Sequence, residues 1–144
     1  RAAAMVGGRG PAEAVLAEWL RADPESAPAR NERGLLHYRD GDHGSAIQAL
    51  ERVIATDPAY HEAANNLAWI YAETDRSLDR ARALIAGVIQ DAPTPGAYDT
   101  LAYVEQQAGN WQAAVRAAAR AVAMGPGNDD YRQRRDEIQR AISE

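Results

Sequence analysis

Few residues of this chain could do chemistry. It has no cysteine, which excludes disulfides, thiolate nucleophiles and cysteine-ligated metal. The histidines are His37, His43 and His61. His37 and His43 straddle a turn at a spacing that suits no standard metal site, so solvated or partly packed imidazoles are expected instead. The segment GGRGP at 7–11 has the glycines of a phosphate loop. It lacks the Lys-Ser/Thr ending and a preceding strand, and by register it reads as an inter-helix turn. All 16 basic residues are arginine. Four of them, Arg132, Arg134, Arg135 and Arg140, cluster near the end, but Asp129, Asp130, Asp136, Glu137 and Glu144 are interleaved with them. That pattern points to a charge-laced, solvated helix rather than a nucleic-acid surface. The net charge of −5 likewise gives no basic footprint for phosphates. No Ser/His/Asp set and no carboxylate pair is placed by periodicity in one cleft. The expectation is a protein that is not an enzyme, with no cofactor and no metal.

The elements that must position these residues follow a period of 34: small residues stand at Gly34, Ala68 and Ala102. From Gly34 the marks run to Ala46, Leu50, Val53 and Pro58; from Ala68 to Ala81, Ile85, Val88 and Pro93; from Ala102 to Ala114, Ala118, Ala121 and Pro126. Ala12, Leu16, Trp19 and Pro24 repeat the last four marks near the start. A period of this size means stacked supersecondary units, whose core is a ribbon between neighbours. Each unit reads as two amphipathic helices. The first pair is 30–40 and roughly 44–56, joined at Gly41-Asp42, where glycine tolerates the left-handed conformation and aspartate caps the next helix. Asp57-Pro58 ends the pair, since the residue before proline is pushed out of the α region. The second pair is near 60–73 and 78–91, with a glycine-free turn TDRS at 74–77; the third is near 96–108 and 111–124. Residues 129–143 make a final helix with a narrow stripe of Tyr131, Ile138 and Ile142, as a terminal cap needs. Residues 11–22, with Pro11 at the first position, read as a second helix whose partner is present only as a tail at 1–6. About seven helices plus a partial one, and no strands, are expected.

This pattern resembles the tetratricopeptide repeat over nearly the whole chain. The implied architecture is all-α: a right-handed α-solenoid with a partial repeat at 1–26, repeats at 27–60, 61–94 and 95–128, and a capping helix at 129–144. The chain departs from the family at Arg30 and Arg33, where a large apolar residue is usual, and at Glu105, where an aromatic is usual. NNLAWIYAE and YDTLAYVEQQAGNW are similar to the terminal repeats of large bacterial scaffolds, often exported ones. The start at Arg1 rather than Met suits a piece of a longer protein. Localisation stays open between cytoplasm and periplasm, that likeness tilting it to the periplasm.

The resemblance implies a non-enzymatic scaffold that binds a protein or extended peptide in a groove lined by first helices. The groove positions are Asn31, Leu35, Tyr38 and Arg39 in repeat one, and Asn65, Asn66, Trp69 and Glu73 in repeat two. Repeat three supplies Asp99, Thr100, Tyr103, Gln106 and Gln107, and the last helix Gln133, Arg134 and Glu137. Leu35, Trp69 and Tyr103 would form an apolar stripe, and the flanking amides offer the donors and acceptors that peptide backbone requires. The competing reading is that the aromatics only pack between repeats. The family's basic clamp for a C-terminal carboxylate is missing: its positions hold Asn31, Leu35, Gly96 and Thr100. No run reaches the ~18 apolar residues of a membrane span, so neither membrane insertion nor nucleic acid is expected. Val15, Leu16, Trp19 and Leu20 cover more than one face of their helix, which suggests self-association through the N-terminal edge. The alternatives to a peptide scaffold are a structural self-association or intramolecular docking module, and the substrate-recruiting tail of a larger enzyme.

Overall fold

The computed structural model of the chain describes residues 13–74 and 76–144. The expectations for 1–6, for GGRGP and for Pro11 lie outside the described residues. Every described element is helical: α1 (13–22), α2 (Ala27–Arg39), α3 (His43–Thr56), α4 (His61–Glu73), α5 (Leu78–Asp91), α6 (Pro95–Gln107), α7 (Trp111–Met124) and α8 (Asp129–Ser143). No described residue is in a strand. The fold class is the expected one: an all-α protein of helix–turn–helix repeats with a terminal helix.

Local chemistry sets the helix ends. Ser26 caps α2 by accepting from the Ala29 N–H at 3.2 Å. The helix therefore begins three residues before the expected Arg30, with Pro28 in its first turn, where a missing N–H costs nothing. Gly41 sits at φ 83° and Gly109 at φ 79°, the left-handed region that favours glycine at a helix end. Asp42 caps α3 through the Ser45 N–H at 3.1 Å. The glycine-free turn reaches the same region through Ser77 at φ 49°, at a conformational cost of ~1 kcal/mol or more.

The chain forms two compact units, Arg1–Ala63 and Ala64–Glu144. In the first, α2 packs on α3 at the small residue. A Cβ added at Gly34 would lie 2.9 Å from Leu50 Cγ, so only glycine admits Leu50 at this depth. Leu16, Ala29, Ala46, Leu50 and Val53 are buried here.

In the second unit α6 packs on α5, α7 and α8, and α7 on α8. Ala102, Ala114, Ala117, Ala118 and Ile138 form one cluster, with Leu101 and Val115 against it. An alanine-rich α7 brings its backbone close to α6, so burial is achieved with little side-chain volume. Of the expected α8 stripe, Ile138 is fully buried, Tyr131 half-buried and Ile142 exposed. The stripe ends with Ile138.

Glu105, at the position expected to prefer an aromatic, is nearly buried and ion-paired. It accepts from Arg82 Nη2 of α5 at 2.7 Å and Nε at 3.1 Å, and from Asn110 Nδ2 of the following turn at 3.1 Å. An ionic tie thus joins α5, α6 and the α6–α7 turn where packing would otherwise do so. Burial opposes ionisation of Glu105, but the hydrogen bonds from Arg82 and Asn110 outweigh it and hold the carboxyl below its usual value. A depressed carboxyl contributes stability that is present above the unfolded pKa, about 4.5, and lost as pH falls through the folded value. Glu105→Gln is therefore expected to lower stability at pH 7 by about 1–3 kcal/mol, with the gap to the parent protein closing below pH 4.5. Urea titrations across pH check this; a gap that stays constant with pH would show that Glu105 acts by shape alone.

Candidate functional site

The expected groove residues fall on both units, and each unit has its own geometry. On unit one, Asn31 departs from the expectation. It is 1% exposed, and its Nδ2 donates to Glu62 Oε1 at 3.3 Å, so the amide is consumed inside the unit. Leu35 and Tyr38 are half-buried and Arg39 is exposed. Tyr38 stacks on His43 across the α2–α3 turn at 5.3 Å, which places that imidazole against a ring. Among the described residues no cluster of three acidic, His or Cys side chains could hold a metal.

Unit two carries the more developed surface. Trp69 of α4 and Tyr103 of α6, one period apart, have ring centroids 4.4 Å apart and tilted by 30°. This offset contact brings the two first helices together, so packing between repeats is part of what these rings do. Both remain half-buried. Arg134 of α8 lies over the pair, its guanidinium carbon 5.0 Å from the Trp69 centroid and 4.9 Å from that of Tyr103. Its Nε donates to Asp99 Oδ1 of α6 at 2.6 Å. The side chains of Arg134 and Asp99 are only 17% and 13% exposed.

That arrangement corrects the expectation of a solvated final helix. Arg132 pairs with Asp129, and Arg135 with Asp136, on the helix surface as expected. Arg134 instead faces inward, because two aromatic faces and a carboxylate compensate its desolvation. Burial pushes the Asp99 carboxyl above the usual carboxylate range, while the Arg134 hydrogen bond pulls the other way. Burial also raises the Tyr103 phenol, with Glu73 adding to the effect.

Around this centre, Asn65, Asn66 and Gln106 are half-buried and Glu73 is exposed. The Oδ1 of Asn65 and Oε1 of Gln106 are buried and accept no hydrogen bond. Gln107 is exposed and uses Nε2 to donate to the Ala72 carbonyl at 3.3 Å. Thr100 is 3% exposed and so is not presented outward as expected. On α8, Gln133 donates to Glu137 at 3.2 Å. Sequence spacing placed Trp69, Tyr103 and Arg134 on one face. It gave no sign of the clamp, whose residues Asp99 and Arg134 lie 35 apart, one more than the period.

Helix pairs of this length and repeat define a class of α-solenoid repeat proteins. Two tetratricopeptide-repeat family models match, over residues 37–102 and 6–60, together spanning 6–102. The chain belongs to the tetratricopeptide-repeat family. No curated protein matches it. Among solved structures it is similar to a fragment, 41 to the end, of MamA from Desulfovibrio magneticus RS-1: 19% identical, covering 96% of this chain and 80% of that one, TM-score 0.81. It is similar to PilF of Pseudomonas aeruginosa at 16% identity, covering 96% of this chain and 64% of that one, TM-score 0.85. It is also similar to the second repeat domain of human RPAP3 in complex with the HSP70 peptide SGPTIEEVD, at 21% identity, 78% and 94% coverage, TM-score 0.71.

The clamp makes a direct expectation. Removing the guanidinium leaves Asp99 buried without its cation, so Arg134→Ala should cost about 2–4 kcal/mol. Because Asp99 and Arg134 act as a unit, Asp99→Ala combined with Arg134→Ala should be less damaging than the sum, with a coupling of about 1–3 kcal/mol. Chemical denaturation followed by tryptophan fluorescence gives all four corners. Strict additivity would mean that the two side chains are independent.

Proposed function

We propose that this chain is a non-enzymatic protein-interaction scaffold that binds an extended peptide or protein segment. The repeats 27–60, 61–94 and 95–128 would be its units, with 129–144 as the cap. The binding face would be that of α4, α6 and α8 in unit two. The observation that carries this reading is the juxtaposition at its centre. A half-buried Trp69–Tyr103 pair, stiffened by Arg134, is flanked on its own helices by the half-buried amide side chains of Asn65 and Gln106. Amide side chains on a half-buried face offer the donors and acceptors that the backbone of an extended segment requires. The fold likeness to a repeat domain solved with a bound peptide supports the same class of ligand. A free C-terminal carboxylate is a poor candidate, because the clamp positions Asn31, Leu35, Gly96 and Thr100 carry no base. Of the expected contact set in unit two, Asn66, Glu73, Asp99 and Gln107 would form the flanks.

Aromatic anchors dominate binding hot spots, at about 2 kcal/mol or more each when truncated. A neutral hydrogen bond contributes less, about 0.5–1.5 kcal/mol. Trp69→Ala is thus expected to weaken a partner recovered by pull-down at least about tenfold, and Asn65→Ala or Asn66→Ala a few fold. Arg116→Ala, on α7, should change little. Titration calorimetry with helicity checked by circular dichroism decides. Loss of binding in Arg116→Ala with Trp69→Ala intact would move the interface to the second helices.

A second reading is favoured by one feature of unit one. Val15 is 64% exposed and Trp19 42% exposed on α1, while Leu16 beside them is buried. An exposed apolar face of this kind marks an interface, here with a second copy of the chain. Sedimentation velocity should show concentration-dependent association that Trp19→Ser abolishes; a monomer at millimolar concentration would remove this reading.

A further inference from the structure

We infer that unit one carries a binding site for a phosphate-bearing small molecule, separate from the face proposed for peptides. Its polar residues come from α2 and α3, with Leu20 of α1 and Pro24 completing the wall. A pocket of about 730 Å³ is lined by Arg30, Arg33 and His37 of α2 and by Ser45, Gln48 and Arg52 of α3, among others. The volume is that of a small-molecule site, where a few polar groups fix the ligand.

The pocket exists because of two departures from the repeat pattern. Arg30 and Arg33 stand where a large apolar side chain would otherwise fill the space beside α3. Arginine leaves that space open and lines it with donors. Arg30 is half-buried while Arg33 and Arg52 are exposed, so their donors are open to an anion from solvent.

The anions of the chain supply only part of it. Glu25 takes Arg30 at 3.2 Å and reaches Arg52 at 3.9 Å. Arg30 Nε also donates to the Pro24 carbonyl at 2.6 Å, which fixes that guanidinium at the wall. Asp42 caps Ser45 through Oδ1, which holds its carboxyl below the usual value, and its Oδ2 lies 3.9 Å from His37. Arg33 makes no hydrogen bond or ion pair with any described residue. Three guanidiniums and His37 thus line the pocket, against Glu25 paired to two of the guanidiniums and Asp42 beside His37, in a protein whose net charge is −5. A local excess of cation against the global charge is an electrostatic well for an anion.

Phosphate fits this donor set better than a lone carboxylate. One arginine satisfies a carboxylate through a bidentate fork, whereas three forks match the several oxygens and the double charge of a phosphate group. Gln48 adds a neutral donor on the same wall, and no residue of the set belongs to the α4–α6–α8 face.

The test is a titration of the intact chain with inorganic pyrophosphate at constant ionic strength, followed by the arginine Nε–Hε resonances. Saturable shifts confined to Arg30, Arg33 and Arg52 are expected, with Arg116 and Arg120 of unit two unmoved. Arg33→Leu restores the apolar residue type of the repeat. It should weaken pyrophosphate about tenfold without lowering the melting temperature, and Arg52→Gln should weaken it similarly. A parallel titration with succinate separates the sources: tighter binding of succinate would assign the pocket to carboxylates and overturn the phosphate reading. Equal shifts at Arg116 and Arg120, absence of saturation, or unchanged binding in Arg33→Leu would each overturn the site itself.

Discussion

Close approach of two helices is the constraint from which the rest of this structure follows. Where α2 meets α3, Leu50 needs the space that a Cβ on residue 34 would occupy. In the α6–α7 pair the same role passes to Ala102 against Ala114, Ala117 and Ala118, all buried. Small residues at a crossing lower the interaxial distance, so each pair buries a narrow seam with few large side chains. With no phenylalanine in the chain, aliphatic side chains such as Leu50, Leu67, Ile70 and Ile85 supply the large buried groups. The consequence is that little apolar volume remains for fixing anything outside the seams, and other interactions take over there.

Those interactions are ionic. Arg82 and Glu105 tie α5 to α6, and Arg134 with Asp99 ties α8 to α6 over an aromatic pair. Ion pairs at such positions add modest net stability, since desolvation offsets much of the Coulomb attraction. Their directional hydrogen bonds nevertheless fix register. Arg134 engages Asp99 only when α8 sits at one height against α6, so the clamp holds the Trp69–Tyr103 surface in one arrangement. Presenting a preorganised surface reduces the entropy lost when a ligand is bound.

The helices were legible because their signals are local and redundant. The 34-residue spacing, the prolines and the turn glycines each mark the same ends. The start of α2 lies three residues before the expected position, because the Ser26 cap and Pro28 precede the apolar marks. The candidate face was legible in part. Periodicity placed Trp69 and Tyr103 together, since a fixed repeat maps equivalent residues onto neighbouring helices. It could not show that Asn31 and Thr100 are buried, because the degree to which one first helix covers the next depends on packing distance, not on register. The clamp was illegible for a related reason: a charge-laced helix looks alike whether its arginines meet water or two rings.

The charged side chains of this protein can be sorted by whether the chain completes them. Glu105 has Arg82 and Asn110, and all its strong partners lie within the unit. Arg134 has Asp99 and two ring faces. Both are closed arrangements, and a structural role accounts for them. Arg33 differs, because it is exposed, has no hydrogen bond or ion pair with any described residue, and lines an open pocket. The chain thus uses its charged side chains in two ways. Where the countercharge is internal, the result is a tie between helices; where it is not, the result is an open cationic pocket whose complement must come from outside.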